Sequence, residues 1–157
     1  MKQIIFVTAL LCGLNIGTID AQDCTGLTHG FYQYGERGID YLDKGIDSTI
    51  IYRDAEAQIE YNKYTDAFAF MKLDWNSECV YTLKVLNYNT QRNYIRIGLE
   101  LRIEILSTQE NGFTFGIKKE GLNEFIPGRI ILVEQKVEKS VLRKIKKTFK
   151  QNKRKYL

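Results

Sequence analysis

From Ile95 to Ile105 the odd positions (Ile95, Ile97, Leu99, Leu101, Ile103, Ile105) are all apolar, and the even ones are Arg96, Gly98, Glu100, Arg102 and Glu104. This alternation gives an extended strand one apolar and one wet face, as in an antiparallel sheet or barrel wall; a helix would scatter those residues around its circumference. Less regular alternation predicts strands near residues 30–34, 49–52, 56–62, 67–73, 79–86, 113–118 and 125–133, about eight in all. Turn chemistry separates them: Tyr52-Arg53-Asp54-Ala55, Asp74-Trp75-Asn76-Ser77, Asn87-Tyr88-Asn89-Thr90, Asn111-Gly112 and Glu120-Gly121. Asn111-Gly112 is the strongest hairpin signal, with a turn that could exceed two residues. Short connections leave no room for crossover helices, so sequential hairpins imply an up-and-down sheet that curls or closes. Pro127 belongs at an edge, at a bulge or just before its strand, and with Gly128 it marks a corner.

Beyond residue 132 the period changes to about four. Val133, Val137, Val141, Ile145 and Phe149 form one stripe, supplemented by Leu142, while Lys136, Lys139, Arg143, Lys144, Lys146, Lys147 and Lys150 fill much of the remaining surface. This is an amphipathic helix ending in a polar stretch, Gln151 to Leu157. Its plainest role is to cover a flank or end of the sheet. The functional alternatives are adhesion to anionic lipid headgroups, to a polyanion or to an acidic protein, or a tail that orders on meeting a partner.

The N-terminus changes the compartment. Lys2 precedes an apolar run from Ile4 to Ile19 that is too short for a comfortable membrane span, and Ala21 supplies a small residue at a cleavage point. Residues 1–21 therefore read as a cleaved export signal, which places residues 22–133 as the barrel-like domain and 134–157 as the basic helix and tail, in the periplasm or outside the cell. Cys12 leaves with the signal, and Cys24 and Cys79 are expected to form a disulfide. Charge is segregated as well. Of a formal +4, residues 22–135 hold 12 Lys+Arg against 17 Asp+Glu, whereas residues 136–157 hold ten basic residues against Glu138 alone.

Catalytic chemistry is sparse. His29 is the sole histidine, so any Ser-His or Cys-His nucleophile must route through it, and Cys24 beside it is committed to the disulfide. No G-x-S-x-G, H-E-x-x-H, P-loop or dinucleotide fingerprint occurs. Two thiols and one imidazole do not make a zinc site. Glu56 and Glu60 share the polar face of a strand whose other face carries Ala57, Ile59 and Tyr61, which reads as a solvated wall and not as a glycosidase pair. The expectation is no enzyme, no catalytic residue, no metal and no cofactor. Basic residues confined to one tail argue against specific nucleic-acid binding.

Ten Tyr, eight Phe and Trp75 are more suggestive. Tyr32, Tyr34, Tyr61, Phe68, Phe70, Tyr81, Phe113 and Phe115 fall on predicted strands and are candidates to line a cavity for a small apolar molecule beneath the loop from Gly35 to Thr49; the competing reading is that they fill the core. Trp75 is expected to plug one end of the barrel.

The pieces DCTGLTHGFYQY, IIYRDAEAQIEY and LDWNSECVYTLKVL resemble small exported proteins of Bacteroidetes-type bacteria, with a Cys before a G-x-F/Y strand, an I-x-R…Q-x-E hairpin and a W-x-x-x-C-x-Y-x-L strand. The resemblance covers roughly residues 22–86 and places Cys24, Gly30, Tyr32, Arg53, Gln58, Glu60, Trp75, Cys79, Tyr81 and Leu83 on family positions. It implies a lipocalin-like small barrel and no particular activity, and the long basic tail departs from the shorter members. The fold expected is thus all-β: an antiparallel meander of about eight strands in a curled or closed lipocalin-like barrel, with a C-terminal amphipathic helix. The function expected is an exported envelope protein binding a small apolar ligand in that barrel. The alternative is a non-enzymatic structural or interaction module that engages an acidic partner or anionic membrane surface through residues 136–157.

Overall fold

The computed structural model describes residues 23–34, 49–89, 95–110, 112–118, 125–132 and 137–157; the export-signal reading, the loop from residue 35 to 48 and the turn at Glu120-Gly121 lie outside them. Eight strands follow in order: β1 (Gly30–Tyr34), β2 (Thr49–Arg53), β3 (Ala57–Asn62), β4 (Phe68–Ser77), β5 (Val80–Tyr88), β6 (Glu100–Gln109), β7 (Gly112–Lys118) and β8 (Phe125–Leu132). Each pairs antiparallel with the next, and β1 pairs with β8, which closes the barrel. The closing seam is short, joining Tyr32, Gln33 and Tyr34 to Leu132, Ile131 and Ile130. Pro127 lies before that seam begins, where β8 has only β7 beside it, so its missing N–H leaves no second neighbour unpaired.

Two elements differ from the sequence reading. Ile95–Leu99 precedes β6 as a turn, with Gly98 at φ +83° and Ile97 68% exposed, whereas Ile95 and Leu99 still pack on the lumenal core. β6 instead runs on through Ser107 and Thr108 to Gln109, which pairs with Gly112. Asp74 to Ser77, expected as a turn, complete β4 because β5 continues opposite them as far as Ser77–Val80, past an irregularity between Trp75 and Ser77.

Strand parity sorts the apolar residues into two cores. Tyr32, Ile51, Met71, Leu73, Tyr81, Leu83, Ile103, Phe113, Phe115 and Ile130 pack together within the barrel. On the outer face, Phe31, Ile50, Ile59, Tyr61 and Phe70 pack beneath the helix α1 (Lys139–Tyr156) with its Ile145 and Phe149. The predicted stripe is thus the docking face, and α1 continues through the stretch read as a polar tail. Asn152 there is buried and its Oδ1 accepts a 2.6 Å bond from Asn87 Nδ2 of β5. Full burial of an Ile or Phe side chain contributes about 1.5–3 kcal/mol, which makes this face the dominant anchor of the helix.

The Cys24–Cys79 disulfide forms as expected and ties a 3-10 turn (Thr25–Thr28) to the β4–β5 connection. That turn closes one end of the barrel: Tyr32 Oη, inside, donates to His29 O at 2.7 Å.

Candidate functional site

The β2–β3 register sets Ile51 opposite Glu60 and Arg53 opposite Gln58. Because Ile51 faces the lumen, Arg53, Gln58 and Glu60 do too. This corrects the reading of Glu60 as part of a solvated wall: the polar face of β3 is the inner one, and Ala57, Ile59 and Tyr61 look outward because α1 covers them. Glu56, in the β2–β3 connection, remains exposed as expected.

Arg53 is fully buried, and its guanidinium lies 4.9 Å from the ring centroid of Tyr81, 5.2 Å from Tyr32 and 5.6 Å from Phe113. Nη2 donates to Tyr81 Oη at 3.1 Å, whereas Nε and Nη1 have no acceptor. Higher in the lumen, Glu60 Oε1 accepts from Tyr34 Oη at 2.8 Å and from Gln58 Nε2 at 3.2 Å. Burial, then the Glu60 charge and its hydrogen bond, raise the Tyr34 phenol well above its ordinary pKa, so it stays a neutral donor. Trp75 tilts over Tyr81 at 4.9 Å with its indole N–H buried and unbonded.

The eight aromatics expected to line one cavity separate. Tyr32, Tyr34, Tyr81, Phe113 and Phe115 face the lumen; Tyr61, Phe68 and Phe70 occupy the outer face, the first and last of them buried beneath α1. The inward rings pack on one another and on Arg53: Tyr32, Tyr81, Phe113 and Phe115 are all buried. Rings around a ligand-sized void would keep accessible surface, so at this level they leave no cavity of the size an apolar ligand needs. Gly128 makes room for one of them, since a Cβ there would collide with the Phe115 ring. At the level of Glu60, a space of about 30 Å³ lined by Thr49, Glu60, Asn62 and Ala69 holds no more than a water or two.

The second surface is the exposed face of α1. Its sequence from Lys139 to Tyr156 holds nine basic residues and no acidic one. At about 100° per residue, Lys139, Arg143, Lys146, Lys147, Lys150 and Arg154 occupy an arc of about 100° along roughly 22 Å of helix. All six are exposed, but the Lys146 ammonium turns to the barrel, over the rings of Phe31 at 5.3 Å and Tyr52 at 5.9 Å, which leaves five directed outward. Two other lysines hold the helix to the barrel. Lys153 Nζ reaches Asp54 Oδ2 at 2.6 Å and Glu56 Oε2 at 2.7 Å, and Lys144 Nζ reaches Asp66 Oδ2 at 2.5 Å.

These carboxylates are set by their turns. Asp54 Oδ1 caps the backbone N–H groups of Glu56 and Ala57, and Asp66 adopts φ +59°, which Asp tolerates, and also accepts from Tyr61 Oη at 2.7 Å. Partial burial works to raise the Asp54 pKa, but the Lys153 bond and the two N–H groups outweigh it and hold it below the ordinary carboxylate range. Lys144 and then Tyr61 lower Asp66 in the same way.

Comparison with known proteins adds nothing to this geometry: no family model, no curated protein and no solved structure matches the chain. Tyr32, Arg53, Gln58, Glu60, Trp75, Tyr81 and Leu83 form one lumenal set. Its residues are distant in sequence, and the register alone brings them together.

Proposed function

We propose that this protein is a non-catalytic exported module that adheres to anionic surfaces, above all membrane surfaces rich in anionic headgroups, through the cationic outer face of α1. One observation carries the reading. The apolar stripe of the helix (Val141, Leu142, Ile145, Phe149) is taken up by the barrel, and the exposed face carries a row of cations, Lys139, Arg143, Lys147, Lys150 and Arg154, without an acidic residue among them. A free amphipathic helix would insert its apolar face between acyl chains. A docked one offers charge alone, so adhesion is electrostatic, salt-sensitive and confined to the headgroup level. The Cys24–Cys79 disulfide supports an oxidising compartment outside the cytoplasm. The filled aromatic level of the lumen weighs against the alternative of an apolar ligand there.

The test is sedimentation with vesicles of phosphatidylcholine containing or lacking phosphatidylglycerol. Binding should require the anionic lipid and fall several-fold as salt rises from about 0.1 to about 0.5 M. At about 1 kcal/mol per cation near such a surface, replacing Arg143, Lys147, Lys150 and Arg154 by Gln should weaken it by about two to three orders of magnitude. Equal binding to neutral vesicles, or undiminished binding by that variant, contradicts the proposal. Binding to an immobilised acidic protein with none to anionic vesicles reassigns the face to a protein partner.

A further inference from the structure

Arg53 stands apart from every other charged group described. A guanidinium does not lose its proton inside a protein, so its charge persists however deeply it is buried. Among the described residues it forms no ion pair, and its sole hydrogen bond goes to a neutral phenol. Glu60, the one carboxylate facing the lumen among those residues, is engaged by Tyr34 and Gln58. The three surrounding rings offset part of the charge through their faces but give the in-plane N–H groups of Nε and Nη1 nothing to bond. The Trp75 indole N–H, over the same Tyr81 ring, is a further buried donor without an acceptor. Three buried N–H groups around Tyr81, two on Arg53 and one on Trp75, therefore lack an acceptor. The lumenal counter-charge, Glu60, is held by Tyr34 and Gln58 and accepts nothing from Arg53, so a guest that carries negative charge and accepts from these N–H groups suits them better than a water does.

We propose that the closed end of the lumen binds a small monovalent anion against Arg53 Nε and Nη1, with the Trp75 N–H contributing. Tyr32, Tyr81 and Phe113 are buried around Arg53, so the guest proposed is a small one, a halide-sized ion or the carboxylate of a very short acid, and not sulfate or phosphate. Gln58 Oε1, across the strand from Arg53 and itself without a donor, suits a water hydrogen-bonded between it and the anion. Such a site gives the buried Arg53 N–H groups an acceptor and is independent of the surface on α1.

The experiment uses the disulfide-bonded chain in sodium sulfate at fixed ionic strength, with thermal unfolding followed as bromide or acetate replaces sulfate. A saturable rise in Tm of a few degrees is expected, as for any ligand that binds the folded state alone. A response to bromide without acetate identifies a free ion, and the reverse a carboxylate; a response to neither overturns the proposal. Arg53→Met, which removes the charge and keeps an apolar side chain of similar length, should abolish the dependence, and an unchanged dependence in that variant also overturns it. Crystals of the unaltered protein soaked in bromide decide the matter independently of how the variant folds. An anomalous peak beside Arg53 Nε and Nη1 supports the site, and a water there without anomalous signal contradicts it.

Discussion

Phe149→Ala separates the helix from the barrel on which it lies. The Phe149 ring is buried, edge-on to Tyr52 at 4.8 Å and to Phe70 at 5.7 Å, at the centre of the outer core. Truncating a buried Phe to Ala costs about 3–5 kcal/mol. By contrast, Lys153→Gln removes partly exposed ion pairs and should cost no more than about 1 kcal/mol. The strand hydrogen bonding that closes the barrel does not involve α1, so the loss falls on docking first. Undocked, an 18-residue helix is marginal at best, and with nine cations and no acid it has like charges four residues apart at 143 and 147, 146 and 150, and 150 and 154. Helical circular dichroism therefore reports docking, while Trp75 fluorescence reports the barrel. In Phe149→Ala the helical signal should be lost at clearly lower urea than the Trp75 transition, and in Lys153→Gln the two should stay close to wild type. Equal small effects from both substitutions, or loss of the Trp75 transition together with the helix, would refute the division into a self-sufficient barrel and a docked helix.

Other outcomes follow from the same contacts. Replacing Cys24 and Cys79 by Ser opens a loop of 55 residues and should lower stability by about 4 kcal/mol in urea unfolding, by the chain-entropy relation. Gly128→Ala forces a Cβ into the Phe115 ring and should cost about 1–3 kcal/mol by the same assay, partly recovered when combined with Phe115→Leu. Asp54 is held below the ordinary carboxylate range, so its contribution is complete above its unfolded pKa of about 3.9 and is lost as pH falls through its lower folded value. The Tm difference between wild type and Asp54→Asn should accordingly be full at neutral pH and vanish in strong acid.

Alternation along single strands identifies most of the barrel, and the change of period beyond residue 132 identifies the helix. What alternation could not supply was the inner side. In β4 both faces carry apolar residues, Phe68 and Phe70 on one and Ala69, Met71 and Leu73 on the other, and in β3 the apolar face, Ile59 and Tyr61, is the outer one, because the outer face receives α1. Tyr61, Phe68 and Phe70 were therefore indistinguishable from lumenal aromatics. Arg53, Gln58 and Glu60 were obscured for the same reason: polar residues on a half-apolar strand ordinarily face water, and only the β2–β3 register turns them inward. Alternation also continued too far upstream of β6, where Gly98 at positive φ breaks the strand although Ile95 and Leu99 keep their apolar contacts.

The central claim is that α1 adheres through its cations while its apolar stripe stays on the barrel, and a fluorine probe tests it directly. With trifluoromethyl-phenylalanine in place of Phe149, the fluorine resonance of protein bound to anionic vesicles should match that of free protein and be unaffected by a paramagnetic label in the acyl chains. A resonance that moves on binding and broadens with the lipid-embedded label would place the stripe in the membrane and contradict the account.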